Sequence, residues 1–135
     1  MNNFIDIEDI DSNQLKKIMA FSAGLKAERK NISKGTKDFK KYLTNKVVAL
    51  LFKKPSTRTR FSFEVGIFQM GGQTLTVSSN EMQISNFESM SDTARVISQY
   101  LDMVVLRTDN HSDLIDLTNY SSIPIINGLS NKSHP

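Results

Sequence analysis

The feature that most constrains the fold is an apolar run followed by a basic turn and an amphipathic segment. Residues 47–52 form an unbroken apolar run that contains β-branched side chains, which is typical of a strand buried in a parallel sheet. After the turn, Phe61, Val65 and Phe68 recur at helical spacing, and a stop signal begins at Gly71. The sequence therefore predicts a strand, a turn and a helix in succession.

The basic turn between that strand and that helix predicts an anion site. Pro55 disfavours helical geometry at the residue before it, so Ser56 or Thr57 is expected to be the N-cap of the helix. The first turn then presents free backbone N–H groups and the positive end of the helix dipole beside Arg58. This combination suits a phosphate group. A well-capped turn with solvated cations is the alternative interpretation of the same residues.

Apolar runs and amphipathic segments alternate along the rest of the chain. Strands are predicted over about residues 47–52, 73–78, 103–106 and 123–126, and helices over about residues 12–32, 58–70, 89–101 and 110–120. Such alternation is typical of right-handed crossovers between parallel strands. We therefore predict an α/β domain with an open parallel four-stranded sheet and helices on both faces, in three α/β/α layers.

Charged side chains follow several of the predicted strands. In open parallel sheets, ligands bind outside the carboxyl ends of the strands near the switch point of the topology. Arg107 and His134 come after strand ends, as the basic turn does, so we expect all three on one rim of the sheet. Arg60 is instead expected to pair with Glu64, one helical turn further on.

Composition limits the class of protein. The chain has 135 residues, of which 39% are hydrophobic and 23% charged, which fits one globular domain with a modest core. The net charge of +3 is small, and the N-terminal segment is acidic, without the apolar stretch of a signal peptide. No apolar run approaches the roughly 20 residues that a membrane helix needs. We expect a cytoplasmic protein without a nucleic-acid or membrane partner.

The sequence lacks the motifs of several other chemistries. It contains no Gly-x-Gly-x-x-Gly, Gly-x-x-x-x-Gly-Lys or Gly-x-Ser-x-Gly motif and no cysteine. His111 and His134 lie far apart and have no partners at metal-ligand spacing. Neither a cofactor nor a metal is expected.

Three segments resemble the aspartate/ornithine carbamoyltransferase family. Ser-Thr-Arg-Thr-Arg at 56–60, followed by Phe-Ser-Phe-Glu, resembles the family's carbamoyl-phosphate loop. Glu-Ser-Met-Ser-Asp-Thr-Ala-Arg-Val at 88–96 resembles a helix opening of the ornithine branch. Asn-Gly-Leu-Ser at 127–130, followed by His-Pro at 134–135, resembles the stretch that leads into that branch's His-Pro-x-Gln motif.

The resemblance implies an enzyme that transfers the carbamoyl group of carbamoyl phosphate to ornithine, giving citrulline and phosphate. It implies the strand order 2-1-3-4. It also implies two sets of ligands, one for the phosphate and one for the carbonyl side: Ser56, Thr57, Arg58 and Thr59 for the first, and Thr59, Arg107 and His134 for the second.

The family's assembly implies two further parts of the active site. A second domain binds the amino acid, so residues 1–135 are expected to be the first domain of a longer enzyme. In the family's catalytic trimer, the loop after the second strand reaches a neighbouring subunit, and Gln83 resembles the glutamine of that loop in the ornithine branch. Asn86 and Phe87 stand where that branch usually has a nearby Lys or Arg, which puts a charged contact from the neighbour in doubt.

Two alternative functions stay open at this point. An aspartate carbamoyltransferase usually has a Lys in that loop and a Gly-rich stretch before His-Pro, so Gln83 and residues 127–130 favour the ornithine branch over it. An enzyme for another amine, such as putrescine or an acylated ornithine, stays open because the acceptor pocket is not in this sequence. A non-catalytic phosphate- or nucleic-acid-binding module that uses the cations of residues 53–60 is the alternative of another class. Nucleic-acid binding by such cations is steeply salt-dependent.

Overall fold

The computed structural model describes residues 3–78 and 89–135, and the structural statements below refer to these two ranges. A short 3-10 turn, Ile7–Asp9, precedes the regular elements. In chain order these are α1 Ser12–Glu28, β1 Val47–Phe52, α2 Thr57–Gln69, β2 Gln73–Ser78, α3 Met90–Ile97, β3 Met103–Arg107, α4 His111–Tyr120 and β4 Ile125–Asn127. The predicted alternation of strands and helices is confirmed.

The four strands form one parallel sheet in the order β2-β1-β3-β4. The strand order that the resemblance implied is therefore confirmed, as is the position of β2 at an edge. In the register of the sheet, Phe52 pairs with Ser78 on one side and with Arg107 on the other. The carboxyl ends of β1, β2 and β3 consequently lie at one level, and the residues that follow them share one rim.

Side chains of β1 and β3 alternate between two hydrophobic clusters, one on each face of the sheet. One cluster packs strand residues against α3 and α4, and its members include Ala49, Leu51, Val104, Leu106, Ala94, Leu114 and Leu117. The other packs strand residues against α2, and its buried members are Val48, Leu50, Phe52, Val105 and Ile67. Fully burying one such leucine or valine contributes about 1.5–3 kcal/mol. Helices therefore cover both faces, in the three layers that were predicted.

The first helix ends earlier than its sequence pattern predicts. Asp11 caps its start, since Asp11 Oδ1 accepts the N–H groups of Asn13 and Gln14, but the helix stops at Glu28 rather than near residue 32. Arg29 takes the C-cap position and forms an ion pair with Asp38, a buried residue. The Arg29 guanidinium also donates to the carbonyl oxygens of Ser33 and Thr36, so this side chain holds the loop that follows the helix.

The apolar face of α2 that faces the sheet differs from the face that the sequence pattern emphasises. Ile67 is 4% exposed and Phe63 packs against the same cluster. Phe61, Val65 and Phe68 retain between 41% and 58% of their accessible surface. The helix therefore buries one side in the chain and leaves a second apolar side open.

Candidate functional site

The first turn of α2 presents unpaired backbone donors to the rim of the sheet. Ser56 is the N-cap residue with an extended backbone, and its carbonyl oxygen accepts the Arg60 N–H at 3.0 Å. No side-chain capping bond forms at this helix start. The N–H groups at positions 57–59 are thus left at the positive end of a helix of 13 residues. This geometry favours an external anion.

Arg107, the last residue of β3, extends beside that helix turn. Its Nη1 atom lies 3.4 Å from Thr59 Oγ1 and 3.3 Å from the carbonyl oxygen of Gly128. Its carbonyl oxygen accepts the N–H of Lys53 at 2.9 Å, which fixes the strand end against the basic turn. The Nε atom is buried and has no hydrogen-bond partner among the described residues. Arg107 thus meets Thr59 through Nη1, while its buried Nε donor has no partner in the described residues.

Carboxylates neutralise three of the four cations in the basic turn. Lys53 Nζ lies 2.7 Å from Asp113 Oδ2, and Lys54 pairs with Asp109. Arg60 Nε lies 2.9 Å from Glu64 Oε1, which confirms the predicted ion pair. The fourth cation, Arg58, is exposed and has no carboxylate partner within residues 3–78 and 89–135. Arg58 is therefore the cation of this turn that is free to meet an anion from outside.

The ion pair of Arg60 also joins α2 to the edge strand. Thr76 Oγ1 donates to Glu64 Oε1 at 2.5 Å, and Arg60 donates to the same oxygen. The Thr76 hydroxyl and then the Arg60 guanidinium hold the pKa of the Glu64 carboxyl below its usual value, against the opposing effect of burial. Glu64 is thus a fixed anion that keeps Arg60 occupied.

Two clefts open beside the first turn of α2, and consecutive residues of the turn contribute to both. The cleft on the β2 side, of about 260 Å³, includes Ser56, Thr57 and Arg60 in its lining. The second cleft, of about 480 Å³, includes Arg58, Thr59 and His134. The two linings share no residue. The structure thus gathers Arg58, Thr59, His134 and, through Thr59, Arg107, and it places Ser56 and Thr57 on the adjacent side of the same turn.

Sequence reasoning missed the residues that shape the end of the chain. Asn127 is 3% exposed, and its amide donates to the carbonyl oxygens of Ile5 and Ser133. Asp113 was likewise missed, although it accepts from both Lys53 and Thr108. The Asn-Gly pair at the end of β4 is a common turn sequence, and it was the signal from which a turn back towards the body of the domain could have been predicted.

Gln83, the expected contribution from a neighbouring subunit, lies outside the described residues. Within the described ranges, no group of three or more His, Asp or Glu side chains is arranged to hold a metal ion. None of the helices there combines the length and the apolar character needed to cross a membrane.

Comparison with known proteins relates this geometry to one family. Residues 2–135 match the family model of the aspartate/ornithine carbamoyltransferase, carbamoyl-P binding domain. The chain is 45% identical to the ornithine carbamoyltransferases of Cereibacter sphaeroides and Paracoccus denitrificans, over all of its own length and 44% of theirs. It therefore spans less than half the length of these curated relatives.

Solved structures give the same relationship. The anabolic ornithine carbamoyltransferase of Campylobacter jejuni superposes with a TM-score of 0.89 and 37% identity, over all of this chain and 41% of that one. The ornithine carbamoyltransferase of Pyrococcus furiosus superposes with a TM-score of 0.91 and 35% identity, over 99% of this chain and 41% of that one. Since the family model covers nearly every residue and the fold agrees, the chain belongs to the carbamoyl-phosphate-binding domain family of the aspartate and ornithine carbamoyltransferases.

Proposed function

We propose that this chain is the carbamoyl-phosphate-binding half of an ornithine carbamoyltransferase, which converts carbamoyl phosphate and L-ornithine into L-citrulline and phosphate. The observation that carries the proposal is the pairing of charges in the basic turn. Arg58 is the cation there without a carboxylate partner in the described residues, and it sits at a helix start whose N–H groups have no side-chain cap. The phosphate group of an acyl phosphate, with about two negative charges, suits both the guanidinium and the free N–H groups.

The phosphate end of the ligand is assigned to the first turn of α2. The backbone N–H groups of this turn, the Arg58 guanidinium and the hydroxyls of Ser56, Thr57 and Thr59 supply donors without any rearrangement of the strand behind them. Because this anion site lies at the rim of a rigid parallel sheet, its donors are positioned before the ligand arrives.

The carbonyl end is assigned to Thr59, Arg107 and His134. In the reaction, the amine nitrogen of ornithine attacks the carbamoyl carbon and negative charge builds on the carbonyl oxygen. The Arg107 guanidinium, whose Nη1 group reaches Thr59, suits that charge, and one well-placed donor of this kind is worth about 3 kcal/mol. The bond from the carbon to the phosphate oxygen then breaks, the attacking nitrogen loses a proton, and phosphate leaves as the anion that the helix turn holds.

The acceptor and the assembly are part of the same proposal. Ornithine is favoured because the similar proteins of Cereibacter sphaeroides and Campylobacter jejuni are ornithine carbamoyltransferases. The proposal includes a cytoplasmic location and a trimer in which Gln83 of a neighbour completes the site. The open apolar side of α2 and the exposed Leu75 of β2 support a contact between subunits. We propose that a second domain supplies the ornithine site.

The proposal is tested first by ligand binding to the chain itself. Titration with carbamoyl phosphate, followed by NMR, should shift the amide signals of residues 56–59 and that of Arg107. The affinity should exceed that for inorganic phosphate and change little with salt. Equal affinity for both ligands, or a steep loss of binding with salt, would favour the simple anion-binding module instead.

Catalysis is tested by joining the chain to the amino-acid-binding part of the Cereibacter sphaeroides relative. The chain alone should form no citrulline, and the fusion should form it. Mixing Gln83→Ala and Arg58→Ala fusions, each nearly inactive, should restore part of the activity if subunits exchange within trimers. No recovery in verified mixed trimers would show that each site is built within one chain.

A further inference from the structure

The last nine residues of the chain are held by a hydrogen-bond network centred on Asn127. Its side-chain Nδ2 donates to Ile5 O at 2.9 Å and to Ser133 O at 3.1 Å, and its Oδ1 accepts the Leu129 N–H at 2.9 Å. Since Asn127 is 3% exposed, these bonds satisfy a buried amide, and the loss of that amide would remove one donor from each of the two carbonyl oxygens. One side chain thus joins the N-terminal segment to the residue before His134.

A second buried side chain, Ser130, holds the same residue. Ser130 N donates to Ser133 O at 2.9 Å, and Ser130 Oγ accepts the Ser133 N–H at 3.2 Å. The Ser130 hydroxyl also lies 2.8 Å from Nδ1 of His111 at the start of α4. Ser133 is therefore fixed through both its carbonyl and its N–H group, and His134 follows directly.

The network also imposes an unusual backbone conformation. Leu129 has a φ of +125°, a region that residues with a side chain rarely adopt. Its N–H is held by Asn127, and its carbonyl accepts the Thr108 N–H at 3.0 Å. Such strain persists only where the surrounding structure enforces it, and it is concentrated at functional sites. In this chain, the backbone conformation at Leu129 accompanies a Gly128 carbonyl oxygen that lies 3.3 Å from Nη1 of Arg107.

We infer that Asn127 and Ser130 are positioning residues that hold His134 at the cleft beside Arg58 and Thr59. This inference rests on the proposed function, in which His134 contacts the carbonyl end of carbamoyl phosphate. The two side chains act on His134 through Ser133. Asn127 also belongs to the lining of that cleft, but it is 3% exposed and its amide is already bonded to Ile5, Ser133 and Leu129. Their loss therefore weakens the contact of His134 and leaves the phosphate donors of α2 in place.

The test compares two ligands in the 135-residue chain. For Asn127→Ala, we expect the Kd for carbamoyl phosphate to rise about tenfold and the Kd for inorganic phosphate to change less than about twofold. A merely structural defect would weaken both ligands equally. Asn131→Ala is the matched control, because Asn131 is exposed in the same segment and accepts only the His111 N–H, so both of its affinities should match those of the unsubstituted chain.

Ser130→Ala tests the inference if Asn127→Ala fails to fold. It should produce the same selective loss, about threefold or more, because it removes the side-chain bond to Ser133 and leaves Asn127 intact. A folded Asn127→Ala with the affinities of the control, or with equal losses for both ligands, would overturn the inference. If Asn127→Ala does not fold, a Ser130→Ala variant with unchanged affinities for both ligands would overturn the inference.

A ligand-free measurement separates this inference from the proposed function. The heteronuclear NOE of the His134 amide should fall in Asn127→Ala and stay unchanged in Asn131→Ala. If the unsubstituted chain binds neither ligand but this difference is found, the proposed function fails and the placement of His134 by Asn127 stands. If His134 is equally ordered in both variants, the placement is wrong whatever the chain binds.

Discussion

Arg107 Nη1 lies 3.4 Å from Thr59 Oγ1, and this contact joins the end of β3 to the first turn of α2 across 48 positions of sequence. The contact follows from the sheet register, which pairs Arg107 with Phe52, the last residue of the strand before that turn. The guanidinium therefore reaches the helix start without a long loop to position it. A donor fixed in this way can meet developing charge with little reorganisation.

The first prediction separates the two arginines of the basic turn. Arg58→Ala should weaken carbamoyl phosphate binding by about 2–3 kcal/mol, because it removes a charge-assisted contact beside the helix dipole. Arg60→Ala should weaken binding far less, since Arg60 is already paired with Glu64 at 2.9 Å. Calorimetric titration of both variants measures the difference, and equal losses would show that Arg58 is not the phosphate ligand.

The second prediction concerns the shape of the Arg107 side chain. Arg107→Lys keeps the charge but loses the planar fork that spans Thr59 and the Gly128 carbonyl, so the affinity for carbamoyl phosphate should fall by about 1.5–3 kcal/mol. Arg95→Lys is the matched control, because Arg95 is an exposed arginine that pairs with Asp92 on α3. Titration of both folded variants with carbamoyl phosphate measures the change in affinity. Similar affinities would show that Arg107 does not contact the ligand.

Local patterns were sufficient to predict the strands of the sheet. The apolar run at 47–52 and the alternating segment at 73–78 match β1 and β2 residue for residue, because continuous burial and edge exposure each leave a clear pattern. The last strand was predicted to begin two residues too early and to end one residue too early. Its position is set by Phe4, whose backbone pairs with Ile125 and Asn127 across the sheet edge.

Features that depend on long-range contacts could not be predicted. Asn127 bonds to a carbonyl 122 positions away, and no pattern in its own segment encodes that partner. The expected anion site was recognisable from Pro55, Ser56 and Arg58 because a helix start is a local structure. The ion pairs of Lys53 and Lys54 could not be predicted, since their carboxylate partners come after β3 in the sequence.

The third prediction concerns the pH dependence of stability at Glu64. Because its pKa is lowered in the folded state, the unfolded chain binds more protons there as the pH falls, so the contribution of Glu64 is present at pH 7 and lost below about pH 4.3. Glu64→Gln should therefore be less stable than the unsubstituted chain at pH 7, by about 1 kcal/mol, and the difference should shrink towards pH 3.

Urea unfolding at pH 7, 5 and 3.5 measures how the difference in stability between Glu64→Gln and the unsubstituted chain shrinks as the pH falls. Glu28→Gln serves as the control, because Glu28 is an exposed glutamate without an ion pair in the described residues. If the deficit of Glu64→Gln is the same at every pH, the Thr76 and Arg60 contacts do not stabilise the ionised form.

The last prediction compares a glycine in the turn that follows α2 with a glycine inside α2, since the two should respond to alanine in opposite directions. Gly71 has a φ of +88°, and a Cβ atom there would lie 2.8 Å from Lys41 Cβ, which is fixed to its own backbone. The turn is closed by the Gly71 N–H to Phe68 O bond and the Gly72 N–H to Ile67 O bond, so the helix end depends on that conformation. Gly71→Ala should cost about 2 kcal/mol of unfolding free energy.

Gly66 lies inside the same helix, and a Cβ atom there would meet nothing within 4 Å. Gly66→Ala should therefore stabilise the chain by about 0.5–1 kcal/mol through its higher helix propensity. Urea denaturation of the two single variants measures the change in the free energy of unfolding for each. A stabilised Gly71→Ala would mean that α2 does not end in this turn, and the helix end would then not set the path of the chain from α2 into β2.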